Sequence, residues 1–297
     1  MNSCSIIDGK KIAGGIISNL QERVRILQEK HGIHPAITVV LVGDDYASNI
    51  YVKNKCKTAE SCGIKSDSVI LSSATTEEEL AGVIRSLNDD VNVHGILVQL
   101  PLPKQINSAK IINLIAPKKD VDCFHHFNVG ALAKRQVNFE ESLIPCTPKG
   151  CLILIKSVIH DLAGKTAVVI GDSNIVGRPM AFMLLNEKCT VTVCNSKTKN
   201  LAEITKNADI IVSATGIAGI VTGDMIKSGS ILIDVGINRD ANGKLTGDLD
   251  FESCKNIAGF ITPVPGGVGP MTIACLMENV AIAACLQNNI QPQSVFK

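Results

Sequence analysis

The chain of 297 residues predicts an α/β fold of two domains. Three observations carry that expectation. Apolar runs of strand length alternate with stretches of helical period. The alternation occurs twice, on either side of a segment rich in Pro, Lys and Asp. A last apolar helix then follows a Pro/Gly-rich connector, too late in the chain to complete the second sheet alone. Strands alternating with helices imply βαβ units and mostly parallel sheets covered on both faces. The domains expected are residues 1–145 plus 272–297, and residues 146–271, with the final helix returning to pack on the first.

Taken in order, Ile16, Ile17, Leu20, Val24 and Leu27 repeat at helical spacing, and "AITVVLV" then reads as a buried strand. A polar helix from Tyr46 to Cys62 leads to the strand "SVILS", and the helix "TEEELAGVIRSL" leads to the strand "GILVQL". Residues 101–128 read as a connection that carries site residues. The second series runs through the helix "KGCLILIKSVI", the strand "TAVVIG", the helix "RPMAFMLL" and the strands "TVTVCN", "DIIVSAT" and "SILIDVG". That order is the mononucleotide-binding half of a doubly wound domain. "ITPVPGGVGPMT" reads as the connector and "IACLMENVAIAACL" as the last helix.

Composition narrows the function. Hydrophobic residues make up 45% and charged residues 19%, a globular balance. The net charge of +1 gives no electrostatic reason to expect nucleic acid or an anionic membrane. Seven Phe, two Tyr and no Trp leave little for base-stacking platforms. Small-molecule chemistry is the expectation. Eleven cysteines lack C-x-x-C spacing and mostly sit inside apolar runs, as Cys151, Cys189, Cys275 and Cys285 do, so they read as buried reduced thiols. No secretory signal is visible and no apolar run approaches about 18 residues, so the expected location is the cytoplasm.

The stretch "VVIGDSNIVGRPM" reads as a strand, a turn and a helix start. Gly171 permits a tight turn and close approach of a pyrophosphate, and Gly177 opens a helix whose free N–H groups attract anions. Ser173 stands where the usual G-x-G-x-x-G fingerprint has its second glycine, and Arg178 adds charge. The loop alone fits an ordinary strand–turn–helix corner equally well. About 20 residues on, an NAD-preferring fold carries an acidic residue for the ribose 2′-hydroxyl. Here that strand ends "CNSKTK", and Ser196 and Lys197 suit a 2′-phosphate. Asp172 opposes this, since two unit charges ~6 Å apart repel by roughly 3 kcal/mol at an effective dielectric of about 20.

In "ASNIYVKNKCK" helical geometry separates three lysines. Lys55 lies about 40° from Tyr51, whereas Lys53 and Lys57 lie about 200° and 240° away, and Ser48 falls within about 60° of Tyr51. A ring, an amine and a hydroxyl on one face can stack a planar heterocycle and move a proton. A Tyr/Lys pair on a solvated helix gives the same pattern. Gln99 in "VQLPLP" sits at the carboxyl end of a strand, the ligand edge of a parallel sheet. Asp120 and Asp122 in "KKDVDCFH" offer carboxylates that could accept paired N–H bonds from an aminopyrimidine. His125 and His126 lack a third ligand at metal spacing, and no metal is expected.

"YVKNK", "VQLPLP", "KDVD", "PCTPKG", "GDSNIVGRP", "IDVGIN", "GDLDF" and "TPVPGGVGPMT" occur in the order found in the methylenetetrahydrofolate dehydrogenase/methenyltetrahydrofolate cyclohydrolase family, which the chain resembles along essentially its whole length. The resemblance implies a folate-binding α/β domain, a Rossmann-type NAD(P)-binding domain and a bifunctional enzyme of one-carbon metabolism and purine biosynthesis. It implies oxidation of 5,10-methylenetetrahydrofolate with NADP and hydrolysis of the methenyl product to 10-formyltetrahydrofolate. By similarity Lys55 is the general acid/base, Tyr51 stacks on the folate, Gln99 holds Lys55 and Asp122 binds the pterin. Ser48, Leu100, Pro265, Gly266 and Gly267 complete the implied substrate site. The implied cofactor contacts are Gly171, Asp172, Ser173, Ile175, Val176, Ser196, Thr215, Gly216, Gly236 and Ile237. The family also implies a homodimer joined through its cofactor domains. Three residues depart from its pattern: Cys123 replaces a glycine, His126 a proline, and Asp172 an arginine or small residue.

Asp172 keeps NAD open as the cofactor, and with it a monofunctional NAD-dependent methylenetetrahydrofolate dehydrogenase. Lys55 counts against that reading, because its hydrolytic role would be idle. A dehydrogenase of another small acid is disfavoured by the combination of Tyr51, Gln99 and Asp122. A non-catalytic folate or nucleotide sensor would bind both ligands and turn over neither.

Overall fold

The computed structural model describes residues 4–240 and 243–296, and of residues 46–50 and 296 the backbone alone. The first elements are β1 (Ser5–Ile6), α1 (Gly9–His31), β2 (Ala36–Val42), α2 (Tyr46–Ser61), β3 (Lys65–Leu71), α3 (Glu77–Asp89), β4 (Gly95–Val98), α4 (Ser108–Ile112) and α5 (His126–Ala133). Next come α6 (Cys146–Lys156), β5 (Thr166–Ile170), α7 (Gly177–Asn186), β6 (Thr190–Cys194), α8 (Leu201–Thr205), β7 (Ile210–Ser213) and β8 (Ile231–Asp234). The chain closes with β9 (Asn238–Arg239), β10 (Leu245–Thr246), α9 (Phe251–Lys255), β11 (Phe260–Ile261), α10 (Val268–Gln287) and α11 (Gln293–Phe296). Two compact units result: Gly15–Pro145 with Ile273–Lys297, and Met1–Gly14 with Cys146–Thr272.

The first unit is built on a three-stranded parallel sheet in the order β3-β2-β4. All seven residues of β2 are buried, as a central strand covered on both faces must be. Leu80, Ala81 and Ile84 of α3 pack on Val40, Val42, Ile96 and Val98, each large side chain contributing about 1.5–3 kcal/mol on burial. Helix α3 starts at a capping box: the Thr76 hydroxyl accepts from Glu79 N, and the Glu79 carboxylate accepts from Thr76 N at 2.8 Å. Its carboxyl end is closed by Lys119, 3% exposed, whose Nζ donates to the carbonyls of Leu87 at 3.0 Å and Asp90 at 2.6 Å. The returning part of α10 is fastened here by Asn279, which donates to the carbonyls of Val121 at 2.7 Å and Ile144 at 2.8 Å.

The second unit carries a six-stranded sheet, order β6-β5-β7-β8-β11-β1, parallel throughout. From β5 the chain passes to β6 on one side and then to β7 on the other, so β5 and β7 flank the switch point where doubly wound sheets bind ligands. Its core joins Val168, Ile170, Ile211, Leu232 and Ile261.

Several expectations differ from the structure for identifiable reasons. Residues 4–14, expected in the first domain, belong to the second unit, because Ser5 and Ile6 pair with Phe260 and Ile261 and so add the sheet's last strand. Two-residue strands have no periodicity to read. Helix α10 begins at Val268, inside the expected connector, since Pro270 lies in the first turn, where a missing N–H costs nothing. Strand β3 extends back through Lys65, Ser66 and Asp67, polar residues that an edge strand tolerates because it pairs through its backbone. Among the described residues α10 alone holds a stretch long and apolar enough to cross a membrane, although Glu278 and Asn279 interrupt its apolar run. Most of that stretch is buried inside the protein, and Glu278 within it pairs with Arg23 at 3.6 Å, as in a core helix.

Candidate functional site

In the first unit the candidate residues gather at the carboxyl edge of the sheet. Strand β2 ends at Val42, Gly43 turns the chain with φ 95°, and α2 begins at Tyr46. Tyr51 and Lys55 follow one turn apart on that helix. Tyr51 is exposed and Lys55 half-buried, whereas Lys53 and Lys57 are exposed, as the helical angles require. The Lys55 Nζ donates to Gln99 Oε1 at 3.1 Å. Gln99 follows the last residue of β4, its backbone N donates to Val40 O at 2.9 Å, and its Nε2 donates to Leu100 O at 2.8 Å. The glutamine is thus held by its neighbour's carbonyl with its oxygen turned to the amine. Leu100 and Pro101 are joined by a cis peptide. Ser48 lies on α2 outside the residues whose side chains are described.

The Asp120–Cys123 loop runs beside β4, with Asp120 bridging Ile96 in parallel. The chain turns immediately afterwards, with Cys123 N donating to Asp120 O at 3.1 Å, and Asp122 lies in that turn. The two aspartates part company here. Asp120 is 1% exposed and accepts from His125 N at 2.8 Å and Asn128 Nδ2 at 2.9 Å, so it staples the loop. Burial pushes its carboxyl above the usual carboxylate range. Asp122, two residues on, is half-buried. Cys123 adopts φ 62°, the left-handed conformation that favours glycine, and its buried thiol donates to Leu143 O at 3.2 Å. The loop therefore takes a glycine-like path despite the substitution.

The histidines that follow have local partners. His125 Nδ1 accepts from Phe127 N at 3.0 Å and caps α5, and burial, reinforced by His126, lowers its pKa. His126 N donates to Asn113 Oδ1 at 3.1 Å, a bond a proline could not make. Among the described residues no His, Cys, Asp or Glu group could hold a metal ion.

In the second unit the loop after β5 is fixed by its glycines. Gly171 has φ 110°, and a Cβ there would lie 2.4 Å from Ala214 O, across the switch point. A Cβ on Gly177 would lie 2.0 Å from Gly171 O. A side chain at either position would collide with backbone, so the turn that leads into the cradle at the N-terminus of α7 requires both glycines. Ser173 Oγ accepts from Val176 N at 3.2 Å and Gly177 N at 3.4 Å, so the hydroxyl caps the helix start. Ile175 is exposed and Val176 half-buried. The exposed Arg178 donates from Nε to Asp172 O at 3.0 Å, which ties its side chain to the loop backbone. The Asp172 carboxylate faces the end of β6, where Asn195 Nδ2 donates to it at 3.4 Å. Ser196 and Lys197 lie exposed in the turn that follows. This cradle suits a dinucleotide's diphosphate.

Two buried aspartates that sequence reasoning did not single out organise the rest of this edge. Asp248, wholly buried, accepts from Ser213, Thr215, Gly216 and Asn238, while Asp234 accepts from the backbone of Gly236, Asp248 and Leu249. The readable signal was a carboxylate closing the apolar run "ILID" and glycines beside each acid in "DVG" and "GDLD". Ile237, by contrast, is exposed. In the connector, Gly266 has φ 106° and accepts from Lys10 N at 2.9 Å. A Cβ on Gly267 would meet Pro263 O at 2.6 Å, and the Val264–Pro265 peptide is cis. Pro265, Gly266 and Gly267 therefore lie in the cofactor unit.

Comparison with known proteins agrees with both halves. Residues 7–122 match the model of the tetrahydrofolate dehydrogenase/cyclohydrolase catalytic domain, and residues 145–288 match that of its NAD(P)-binding domain. The bifunctional protein FolD of Wolbachia sp. subsp. Drosophila simulans (strain wRi) is 54% identical over 96% of this chain and 97% of its own. Among solved structures, the bifunctional FolD methylenetetrahydrofolate dehydrogenase/cyclohydrolase of Campylobacter jejuni superposes with a TM-score of 0.92 at 48% identity, covering 97% of this chain and 100% of its own. The Trypanosoma brucei enzyme, solved with NADP and an inhibitor, gives 0.91 at 37% identity over 96% of this chain and 98% of its own. The chain belongs to the tetrahydrofolate dehydrogenase/cyclohydrolase family.

Proposed function

We propose that the protein oxidises 5,10-methylenetetrahydrofolate to the methenyl cation with NADP and hydrolyses that cation to 10-formyltetrahydrofolate, in the one-carbon metabolism that serves purine biosynthesis. The observation that carries this reading is the Lys55–Gln99 hydrogen bond of 3.1 Å beside the exposed ring of Tyr51. A dehydrogenase alone would have no use for an amine so held.

The Tyr51 ring stacks the folate, and Asp122 accepts paired N–H bonds from its pterin. When water adds to the methenyl carbon, the Lys55 amine takes its proton. The same group returns a proton to nitrogen as the carbon–nitrogen bond breaks and the ring opens. Gln99 keeps the amine pointed at that carbon. Ser48, Leu100, Pro265, Gly266 and Gly267 complete the substrate contacts. Gly171, Ser173 and the N-terminus of α7 would hold the NADP diphosphate, with Ile175, Val176, Ser196, Thr215, Gly216, Gly236 and Ile237 around the rest of the cofactor. Bound there, NADP supplies the hydride acceptor.

Lys55→Met tests the assignment. Hydrolysis of methenyltetrahydrofolate should be abolished; a variant hydrolysing at the wild-type rate refutes the role of Lys55. One observation favours a second reading of the cofactor. Asp172 faces the end of β6, the place where a ribose 2′ substituent is read, and so favours NAD. Initial rates with each cofactor decide between them. Asp172→Arg should raise the NADP/NAD rate ratio, and an unaltered ratio removes the carboxylate from cofactor choice. A cytoplasmic homodimer joined through the cofactor domains completes the proposal, in keeping with eleven free thiols and an open edge at β6. Light scattering at the monomer mass would refute the dimer.

A further inference from the structure

The carboxyl ends of β7 and β8 are joined by a carboxylate outside the catalytic constellation. Asp248 is 0% exposed. Its Oδ2 accepts from Ser213 Oγ at 3.0 Å, Thr215 N at 2.6 Å, Thr215 Oγ1 at 3.0 Å and Gly216 N at 3.3 Å. Its Oδ1 accepts from Asn238 Nδ2 at 3.0 Å. Its backbone N donates at 2.8 Å to Asp234 Oδ1, which also takes Gly236 N at 3.1 Å. One side chain therefore sets the turn after β7 and, through Asp234, the turn after β8. The packing leaves it no room to move: a Cβ on Gly236 would fall 1.9 Å from Asp248 Oδ1, and one on Gly247 1.9 Å from Asp234 Oδ2.

We infer that Asp248 is a positioning residue for the dinucleotide, holding the Thr215–Gly216 backbone and Gly236 in the shape the cofactor meets, an inference that rests on the cofactor reading above. Buried polar groups of this kind are costly unless every donor is matched. Here four donors converge on a single oxygen at the ligand edge of the sheet, where a wall of apolar contacts would close a strand end more cheaply. Burial, with the Asp248 charge acting in the same direction, pushes the neighbouring Asp234 carboxyl up to about 6. Two acids kept this close fit a site that must hold its loops in one shape, because a loop that has to be reordered on binding costs cofactor affinity.

The test exploits the two activities of the enzyme. Asp248→Asn keeps size but cannot match every donor with oxygen. It should raise KM for NADP roughly tenfold, the loss expected from one weakened charge-assisted hydrogen bond, with kcat and the folate KM changed far less. Methenyl hydrolysis, which needs no dinucleotide, should stay within about twofold and report that the variant is folded. Should Asp248→Asn fail to fold, Ser213→Ala removes one donor from the same oxygen and should raise the NADP KM in the same selective way. An unchanged NADP KM, or an equal fall in both activities, overturns the inference. Wild-type enzyme that turns over neither cofactor would instead refute the functional reading.

Discussion

Replacing Asn279 by aspartate changes almost no volume and should still be among the most damaging substitutions in the first unit. Asn279 is wholly buried, and the groups around its Nδ2 are carbonyl oxygens of Val121 and Ile144, which fixes the nitrogen's identity. An ionised aspartate would set a charge against two carbonyl dipoles in an apolar interior. The variant therefore folds with the acid protonated, and its single O–H can serve one carbonyl. The other is orphaned, at a cost of about 1–3 kcal/mol. Keeping the proton at pH 7 costs a further ~4 kcal/mol, since the folded pKa must rise from about 3.9 to above 7. A pKa raised in the folded state leaves stability intact below the unfolded value and erodes it as pH rises. The total of about 5–7 kcal/mol at pH 7 should thus shrink by roughly 3 kcal/mol at pH 5. Urea melts at the two pH values measure it, followed by a probe in the first unit. A deficit below 2 kcal/mol, or one equal at both pH values, would refute the account. Because Val121 precedes Asp122, the folate KM should rise as well.

In Gly177→Ala the new Cβ would lie 2.0 Å from a backbone oxygen, so the start of α7 must shift. NADP affinity by titration calorimetry should fall at least about tenfold, and an unchanged Kd would show the cradle unnecessary. Gln99→Met removes the acceptor of the Lys55 amine. A charge-assisted bond of about 1.5–3 kcal/mol predicts a roughly 10- to 150-fold slower methenyl hydrolysis, and an unmoved rate would count against it. Asp209 is held down to about 2, chiefly by its hydrogen bond from Lys227 and then by Thr166 N, so the stability it provides is present above about pH 4 and lost toward pH 2. Lys227→Met should move acid unfolding to higher pH while costing under ~1 kcal/mol at pH 7, because both side chains are partly exposed; an unmoved acid midpoint would exclude the pair.

What the sequence disclosed follows the physics of each element. Strand β2 is legible to the residue because a central parallel strand, buried on both faces, is a plain apolar run. The face shared by Tyr51 and Lys55 is legible because helical angles are fixed, and the exposure of Lys53 and Lys57 agrees with it. The start of α10 was hidden by Gly269 and Pro270, which a first helical turn accepts. Asp234 and Asp248 were hidden for a different reason: an acid's role there depends on which donors converge on it, and Ser213 lies 35 residues from Asp248 in sequence. Asp172 was readable as a problem, but its direction toward Asn195 needed coordinates.

The short strand β1 has a consequence for how the enzyme can be made. Its partner β11 is synthesised only after every other strand of both sheets, and the first unit waits longer still for residues 273–297. The chain passes between units within α1, ahead of α6 and again within α10. No single cut therefore liberates either unit whole. A polypeptide halted before Phe260 leaves the six-stranded sheet without β11, with β1 unpaired and the edge of β8 bare, and leaves the first unit without α10, so a truncated product should be cleared or aggregate rather than persist as a half-active enzyme.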